Sequence, residues 1–437
     1  MQTNFSPAQL ADPETAAAEA VIRKCVHCGF CLATCPTYTL LGDELDSPRG
    51  RIYLMKDMLE NGRRPTAQVV KHVDRCLSCL SCMTTCPSGV DYRRLVDHAR
   101  AYIESHHSRS PADRLIRGLL AFVLPHPARF RLAAALGRLA RPLAPLLRRS
   151  QALKPLAAML TLAPAARAAA APAQAASPPA SGPRRGRVIL LKGCVEPEIA
   201  PQIRAAAVRV LTRAGYDVSQ VAGEGCCGAL VHHMGREDDG LGFVRRNVAA
   251  WRPMVEAGEV AAIVVTASGC GSMVKDYGHL LRHDPALAGT AAKVSALARD
   301  ITELLAEIPL PDIRPPAGAG GEPLTVAYQA PCSLQHGQQV RRQPRALLEA
   351  AGFRVREPAE AHLCCGSAGV YNILQPDISA QLRSRKVANL AALEPDVVAT
   401  GNIGCLTQIA AEAKVPVAHV VELLDWAYGG PKPAGLP

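Results

Sequence analysis

Eight of the sixteen cysteines in this chain fall in two runs of one pattern. The first is Cys25-Val-His-Cys28-Gly-Phe-Cys31-Leu-Ala-Thr-Cys35-Pro36 and the second is Cys76-Leu-Ser-Cys79-Leu-Ser-Cys82-Met-Thr-Thr-Cys86-Pro87, each reading C-x2-C-x2-C-x3-C-P. Three thiolates spaced by two residues wrap a loop around one face of an inorganic cluster, each meeting a different iron. The fourth is displaced by three residues and followed by a helix-breaking proline, so it points away toward a second cluster. The spacing therefore predicts two [4Fe–4S] clusters, one held by Cys25, Cys28, Cys31 and Cys86, the other by Cys76, Cys79, Cys82 and Cys35. Structural zinc closes a tetrahedron from two ligand pairs, which leaves a third evenly spaced thiol without a role. Disulfides fit no better: Met1 to Ala20 has no basic stretch leading into an apolar one, so no secretory signal is expected. A cysteine-rich chain in a reducing compartment points to metal or redox work.

The other eight cysteines also repeat. Cys194 is followed 32 positions later by Cys226-Cys227-Gly228 and then by Cys270; Cys332 is followed 32 positions later by Cys364-Cys365-Gly366 and then by Cys405. Cysteines used as small core hydrophobes would not keep equal spacing in two copies. Adjacent thiols before a glycine can gather four thiolates at one loop cluster, the glycine allowing close backbone approach. Three chemistries suit such a set: an additional iron–sulfur cluster, a redox-active dithiol, or zinc. Gly223-Glu-Gly225-Cys-Cys-Gly228 also matches G-x-G-x-x-G. A dinucleotide site, however, needs that turn after the first strand of a βαβ unit and an acidic residue about 20 positions on, and the second copy lacks the preceding glycines. His27, His336 and His362 adjoin these cysteines, where a hydrogen bond would tune a cluster, and are assigned no role. No Ser/His/Asp set or carboxylate pair stands in a recognisable context, so no catalytic residue is expected. The chain reads as an electron carrier with no flavin site of its own.

The elements that must position these thiols divide the chain. Residues 1–110 read as all-helical: Ser47 and Pro48 open a helix with Ile52, Met55 and Leu59 on one face and Gly62 at its end, and Asp91 caps another bearing Leu95, Val96, Ala99 and Ile103. Helix instead of hairpin between the runs predicts an α-helical ferredoxin domain. From 187 onward apolar strands alternate with helices: 187–192 leads to Cys194, 261–267 to Cys270, 324–330 to Cys332 and 396–401 to Cys405. The fold class expected is thus α + α/β: the helical domain, then two duplicated α/β cysteine-rich modules at 187–313 and 324–430 with short parallel sheets.

Charge singles out the segment between. The chain carries a net +11, and most of it sits in 111–162, where nine arginines and lysines from Arg114 to Lys154 face Asp113 alone. Leucines such as Leu115, Leu119, Leu132, Leu139 and Leu146 interleave with them, and Pro125, Pro127, Pro142 and Pro145 break the pattern. Basic amphipathic helices of this kind lie on an anionic membrane surface, dock on an acidic partner, or pack on the chain's own core. No stretch approaches the ~20 apolar residues of a membrane span, and without aromatics or a reading motif nucleic acid is not an expected partner. The Ala/Pro-rich tract 163–186 reads as a linker.

Four stretches give the chain a resemblance: RKCVHCGFCLATCPTYTLLGDELDSPRGRIYLMK at 23–56, DRCLSCLSCMTTCPSGVDY at 74–92, GCCGAL at 225–230 and LCCGSAGVYN at 363–372. The chain resembles the iron–sulfur subunits of bacterial glycolate oxidase (glycolate dehydrogenase), over nearly its whole length and most faintly in 108–186. It is more distantly similar to iron–sulfur subunits of lactate utilisation, anaerobic glycerol-3-phosphate dehydrogenase and heterodisulfide reductase. The resemblance implies a subunit partnered with flavin-bearing dehydrogenase subunits, passing electrons from glycolate oxidation toward the quinone pool, peripherally at the cytoplasmic side of the inner membrane. The same role with lactate or glycerol-3-phosphate, or a thiol-disulfide reductase, are the alternatives. Heterodisulfide-type modules end in C-x-x-C, whereas this chain has Met273 and Gln408 at the final positions, so each module offers four thiols and not five.

Overall fold

The computed structural model describes residues 1–150, 153–162, 183–309 and 321–436. The 163–186 tract lies outside them except for its last four positions.

The first hundred residues form a helical unit. Helices Pro13–Lys24, Pro48–Glu60, Ala67–Asp74 and Tyr92–His106 turn Ile22, Met55, Met58, Val73, Leu95, Val96 and Ile103 onto one core. Removing these side chains from water is the main force holding the helices together. The Ser47 hydroxyl accepts from the Gly50 amide and Pro48 takes the first turn, as the sequence predicts. Asp91 stands at the N-cap of Tyr92–His106, but its carboxylate does not cap the helix; it faces Arg94 at 3.7 Å. Pro36, expected to break a helix, instead opens Pro36–Leu41, where its missing N–H costs nothing.

Two four-stranded parallel sheets follow. In the first, β1 (Gly186–Leu190), β2 (Tyr216–Ser219), β3 (Val260–Val265) and β4 (Ala298–Asp300) lie in the order β2-β1-β3-β4. In the second, β5 (Thr325–Gln329), β6 (Arg354–Arg356), β7 (Val397–Thr400) and β8 (Val417–His419) repeat that order as β6-β5-β7-β8. The modules share one core: Val188, Leu190 and Leu211 pack in the same cluster as Val326, Tyr328, Leu348, Val420 and Leu424. Across this junction Arg209 pairs with Asp425 at 2.6 Å, and the Ser268 amide donates to the Gly401 carbonyl at 3.2 Å.

The basic segment is helical and broken where its prolines fall: Pro111–Val123, Pro127–Ala140, Ala144–Leu147 and Lys154–Leu162. Leu120, Ala121, Ala157 and Leu160 are buried, whereas Leu115, Leu132, Leu139 and Leu146 remain exposed. Several cations are tied to the rest of the chain: Arg117 to Asp74 at 2.9 Å, Arg131 to Glu198 at 2.7 Å and Lys154 to Asp377 at 2.8 Å. Among the described residues no helix is long and apolar enough to cross a membrane.

Candidate metal centres

The loop from Cys25 to Cys31 joins helix Pro13–Lys24 to the turn before Pro36–Leu41, and a small pocket gathers Cys25, Cys28, Cys31 and Cys86 with Cys82. Cys28 is exposed, between Val26 and Phe30, which are also exposed. Cys35 turns inward among the sulfurs of the second run. Burial first, then neighbouring sulfurs, Cys332 and Cys35 beside Cys79 and Cys79, Cys76 and Cys35 beside Cys82, push the Cys79 and Cys82 thiols well above their ordinary pKa. Cys31 is pushed up to about 11, chiefly by burial. Buried thiols crowded this way resist ionising until a metal replaces their protons. Soft sulfur sets of this composition select iron–sulfur clusters or zinc. The donor chemistry fits the clusters the spacing predicts.

One cation near these sulfurs escaped the sequence reading. Arg51 is buried; it donates to the His72 carbonyl at 2.6 Å, to Thr37 Oγ1 at 3.0 Å and to Asp46 at 3.2 Å, and reaches the Cys35 sulfur at 3.8 Å. Asp46, which with Asp43 and His72 has the spacing of a metal site, already holds Arg51, Arg75 and His72. It is an ion-pair knot. Its sequence signal is Ser-Pro-Arg-Gly-Arg: a Cβ at Gly50 would overlap the Glu44 carbonyl oxygen, so glycine is what lets Arg51's helix sit there.

In each module the four thiols meet at the carboxyl ends of the parallel strands, where open α/β sheets place their sites. Cys194 follows β1, Cys226 and Cys227 follow β2, and Cys270 lies in helix Ser268–Val274 after β3. Cys332 follows β5, Cys364 and Cys365 follow β6, and Cys405 lies in Ile403–Ala410 after β7. Cys194 contacts Cys226, and Cys227 contacts both Cys226 and Cys270. Cys332 Sγ is 3.7 Å from Cys364 Sγ, with Cys365 linking Cys364 to Cys405. No disulfide joins any two of the sixteen cysteines. The Cys226 thiol is drawn below its ordinary pKa, because Cys194 and Cys227 donate to it and the Gly228 amide adds a contact at 3.4 Å.

The glycine of each Cys-Cys-Gly is required by the fold. Gly228 and Gly366 take φ of +89° and +88°, and a Cβ would stand 2.8 Å from the Gly240 carbonyl oxygen in one copy and 2.7 Å from that of Ser379 in the other. Asn247 and Tyr277, neither anticipated, clamp the first pair: Asn247 accepts from the Gly225 amide at 2.9 Å and donates to the Cys226 carbonyl at 3.0 Å, and Tyr277 donates to the Cys227 carbonyl at 2.9 Å. The Gly225 amide that a phosphate would need is thus occupied. At the missing fifth-thiol positions Met273 is buried in the core, and Gln408 is buried and donates to Ser379 Oγ at 2.8 Å.

The sulfur sets adjoin one another. Cys332 and Cys364 both press on or are pressed by Cys79, and Cys79, Cys364, Leu77 and Tyr371 pack in one cluster with Cys332. His336, given no role from sequence, ties the helical domain to the second module. Its Nδ1 meets Thr84 Oγ1 at 2.8 Å and its Nε2 meets the His362 carbonyl at 3.1 Å. Both module tetrads line a single cavity of about 650 Å³.

Residues 21–90 match the family described as 4Fe-4S dicluster domain, and residues 188–275 and 326–410 each match the family described as cysteine-rich domain. Along its length the chain is 42% identical over 427 residues to the glycolate oxidase iron-sulfur subunit of Escherichia coli, covering 98% of this chain and 99% of that one. It is 33% identical over 428 residues to the probable glycolate oxidase iron-sulfur subunit of Bacillus subtilis, covering 94% and 95%. Similarity to lactate utilization protein A of Bacillus licheniformis is 28% over 247 residues, 55% of this chain and 99% of the relative. Among solved structures, a hypothetical protein from Helicobacter pylori superposes with a TM-score of 0.56 at 10% identity, covering 96% of this chain and 73% of that one. That last likeness speaks to the fold alone.

Proposed function

The chain belongs to the family of glycolate oxidase iron–sulfur subunits, and from that premise we propose that it holds two [4Fe–4S] clusters and relays electrons from glycolate, oxidised to glyoxylate at a partner, toward the quinone pool. It is the electron-transfer component of an oxidoreductase complex whose partner subunit is a flavoprotein. Cys25, Cys28, Cys31 and Cys86 are the proposed ligands of one cluster, and Cys76, Cys79, Cys82 and Cys35 of the other. Such clusters, when bound, supply single-electron carriage.

The observation that carries this reading is the contiguity of the sulfur sets. At one end Cys28 lies exposed between Val26 and Phe30, an apolar edge suited to a docked flavoprotein. At the other, Cys79 lies inside the chain beside Cys332 and Cys364. Leu77 and Tyr371 pack beside these sulfurs. The outward leucines and arginines of 111–162 support peripheral attachment to an anionic membrane surface at the cytoplasmic side.

Anaerobically purified complex, reduced with dithionite and read by EPR alongside iron and sulfide analysis, tests the reading. Two interacting [4Fe–4S] signals that also appear on adding glycolate are expected. A colourless preparation, or reduction by lactate and never by glycolate, overturns the cluster or the donor assignment respectively. Iron per chain in the Cys227→Ser/Cys365→Ser variant decides whether the module tetrads hold iron as well, a drop assigning it to them.

A further inference from the structure

Two buried hydroxyls close to the sulfurs of the helical domain have no hydrogen-bond partner among the described residues. Tyr92 is 3% exposed and opens helix Tyr92–His106. Its ring packs in one core with Cys25, Cys76, Cys82 and Cys86, and it lines the small pocket beside Cys82 and Cys86. After burial itself, the groups that bear most on its hydroxyl are Cys76, Arg51, Cys82 and Cys35, in that order. Three of those four are sulfurs of the second set. Ser81 is fully buried and lies between Cys79 and Cys82 in the chain. Its carbonyl accepts from the Thr84 and Thr85 hydroxyls at 3.1 and 3.0 Å, while its own hydroxyl is unpaired. An unsatisfied buried hydroxyl costs about 1–3 kcal/mol, so two beside one sulfur set call for an acceptor. At Ser81's place in the first run stands Phe30, which is 66% exposed.

We propose that the hydroxyls of Tyr92 and Ser81 donate to sulfurs of the second cluster, the one assigned to Cys76, Cys79, Cys82 and Cys35, and raise its reduction potential against the pull of burial. The inference rests on the electron-relay reading above and explains how an electron is drawn inward. A phenol and a serine hydroxyl each bring a donor at neutral pH, whereas a deprotonated sulfur can only accept. Reduction adds one negative charge, and a site screened from water disfavours that charge. Cys76 and Cys79 are buried while Cys28 is exposed. Burial alone would therefore set the inner centre below the outer one and hold electrons at the surface. Hydrogen bonds to the sulfurs oppose this, being among the factors that set such potentials, and they strengthen as the acceptor gains charge. Arg51 acts in the same sense from the Cys35 side, 3.8 Å away. Neutral donors add to its effect without burying another charge.

The test is an EPR-monitored redox titration of the anaerobically purified complex, resolving the midpoints of the two centres. Arg51→Met marks the second centre as the one whose midpoint it lowers. Tyr92→Phe deletes only a hydroxyl and is expected to lower that same midpoint. The shift should move its redox equilibrium about threefold or more toward the oxidised form, the worth of one hydrogen bond, and leave the other midpoint in place. Ser81→Ala should do likewise. Deuterium ENDOR of the reduced complex in D2O gives a second readout: a strongly coupled exchangeable proton at the second centre, lost in Tyr92→Phe. Iron and sulfide content reports whether each variant is loaded. Should Tyr92→Phe lose iron, Ser81→Ala and the wild-type ENDOR spectrum carry the test. Loaded variants with unchanged midpoints overturn the proposal. So does a shift confined to the other centre, or a second centre with no exchangeable proton coupled to it in the wild type. Absence of iron–sulfur signals from the wild-type complex would instead sink the electron-relay reading itself.

Discussion

Arg51 holds one guanidinium nitrogen 3.8 Å from the Cys35 sulfur and another 3.2 Å from the Asp46 carboxylate, with all three residues buried. A buried cation beside a cluster ligand stabilises the more negative, reduced state. Arg51→Met is therefore expected to lower the midpoint potential of the centre that Cys35 serves, measured by EPR-monitored redox titration. It also leaves Asp46 short of a partner, and removing one side of a buried pair costs about 3–5 kcal/mol. Because Arg75 and His72 still hold Asp46 at 2.8 and 2.9 Å, the loss in thermal unfolding should sit at the low end of that range. Arg51→Lys keeps the charge without the fork and should restore potential more fully than stability.

The two Cys-Cys-Gly turns make a paired prediction. A non-glycine residue in the left-handed region costs about 1–2 kcal/mol, and each Cβ meets a main-chain oxygen that cannot swing aside. Gly228→Ala and Gly366→Ala should each lower the melting temperature and displace the adjacent thiols. The rate of alkylation of Cys226 or Cys364 in the metal-free protein should rise, and equal rates in variant and wild type would contradict the requirement.

Asn247 makes three hydrogen bonds within the interior, to the Gly225 amide, the Cys226 carbonyl and Tyr277. Asn247→Leu strands those groups, at about 1–3 kcal/mol for each left unsatisfied, and should unfold the 223–228 loop first. Tyr277→Phe removes two bonds, the one its hydroxyl donates to the Cys227 carbonyl and the one it accepts from Asn247, but leaves the Asn247 contacts to Gly225 and Cys226 in place and should cost about 1–3 kcal/mol in all. Hydrogen exchange at residues 224–228 distinguishes the two, being much faster in the first variant and only modestly so in the second.

What the sequence discloses and what it withholds separate along a physical line. Ligand spacing is imposed locally, so both cysteine runs and the two copies of the paired-cysteine loop can be read before any fold is known. Apolar strands are legible for the same reason: the predicted 187–192 and 324–330 match β1 and β5 to within two residues. Helix boundaries at Ser47-Pro48 follow from capping chemistry, yet Asp91, also at an N-cap, makes no side-chain cap and faces Arg94 at 3.7 Å instead. The nearness of Cys79 to Cys332 has no local signal, since it depends on how the helical domain seats on the second module through Thr84, His336 and Tyr371. Asn247 and Tyr277 stay hidden likewise. They act from another helix on main-chain atoms, which leave no trace in residue type.

The exposed leucines of the basic segment yield a fourth prediction. Leu132 and Leu139 are 64% and 81% exposed, outward enough that changing them should not disturb packing. Leu132→Glu/Leu139→Glu removes apolar contact and adds repulsion from anionic headgroups, so co-sedimentation with phosphatidylglycerol vesicles should fall several-fold at low salt. Binding to zwitterionic vesicles should be weak for both proteins. Unchanged sedimentation of the double variant would remove membrane attachment from the account of these helices.

The joint between the helical domain and the first module should respond to pH through Asp97. Burial pushes its carboxyl up, but His233 and His232 outweigh that and hold it well below its ordinary value of 3.8. Its contribution is present above that value and is lost as pH falls through the lowered pKa. Burial likewise pulls His232 down, and Asp97, with Glu237 and Asp276 beyond it, outweighs the pull and raises it above 6.5. Its contribution is complete below 6.5 and is lost as pH rises through the raised value. The joint is thus tightest between roughly pH 4 and 6.5 and loosens on the alkaline side. Amides of 229–235, corrected for intrinsic exchange rates, should lose protection between pH 6.5 and 9 in the wild-type protein. Asp97→Asn should show weak protection throughout, with no alkaline step; a step of the same size in that variant would assign the pH response to some other group.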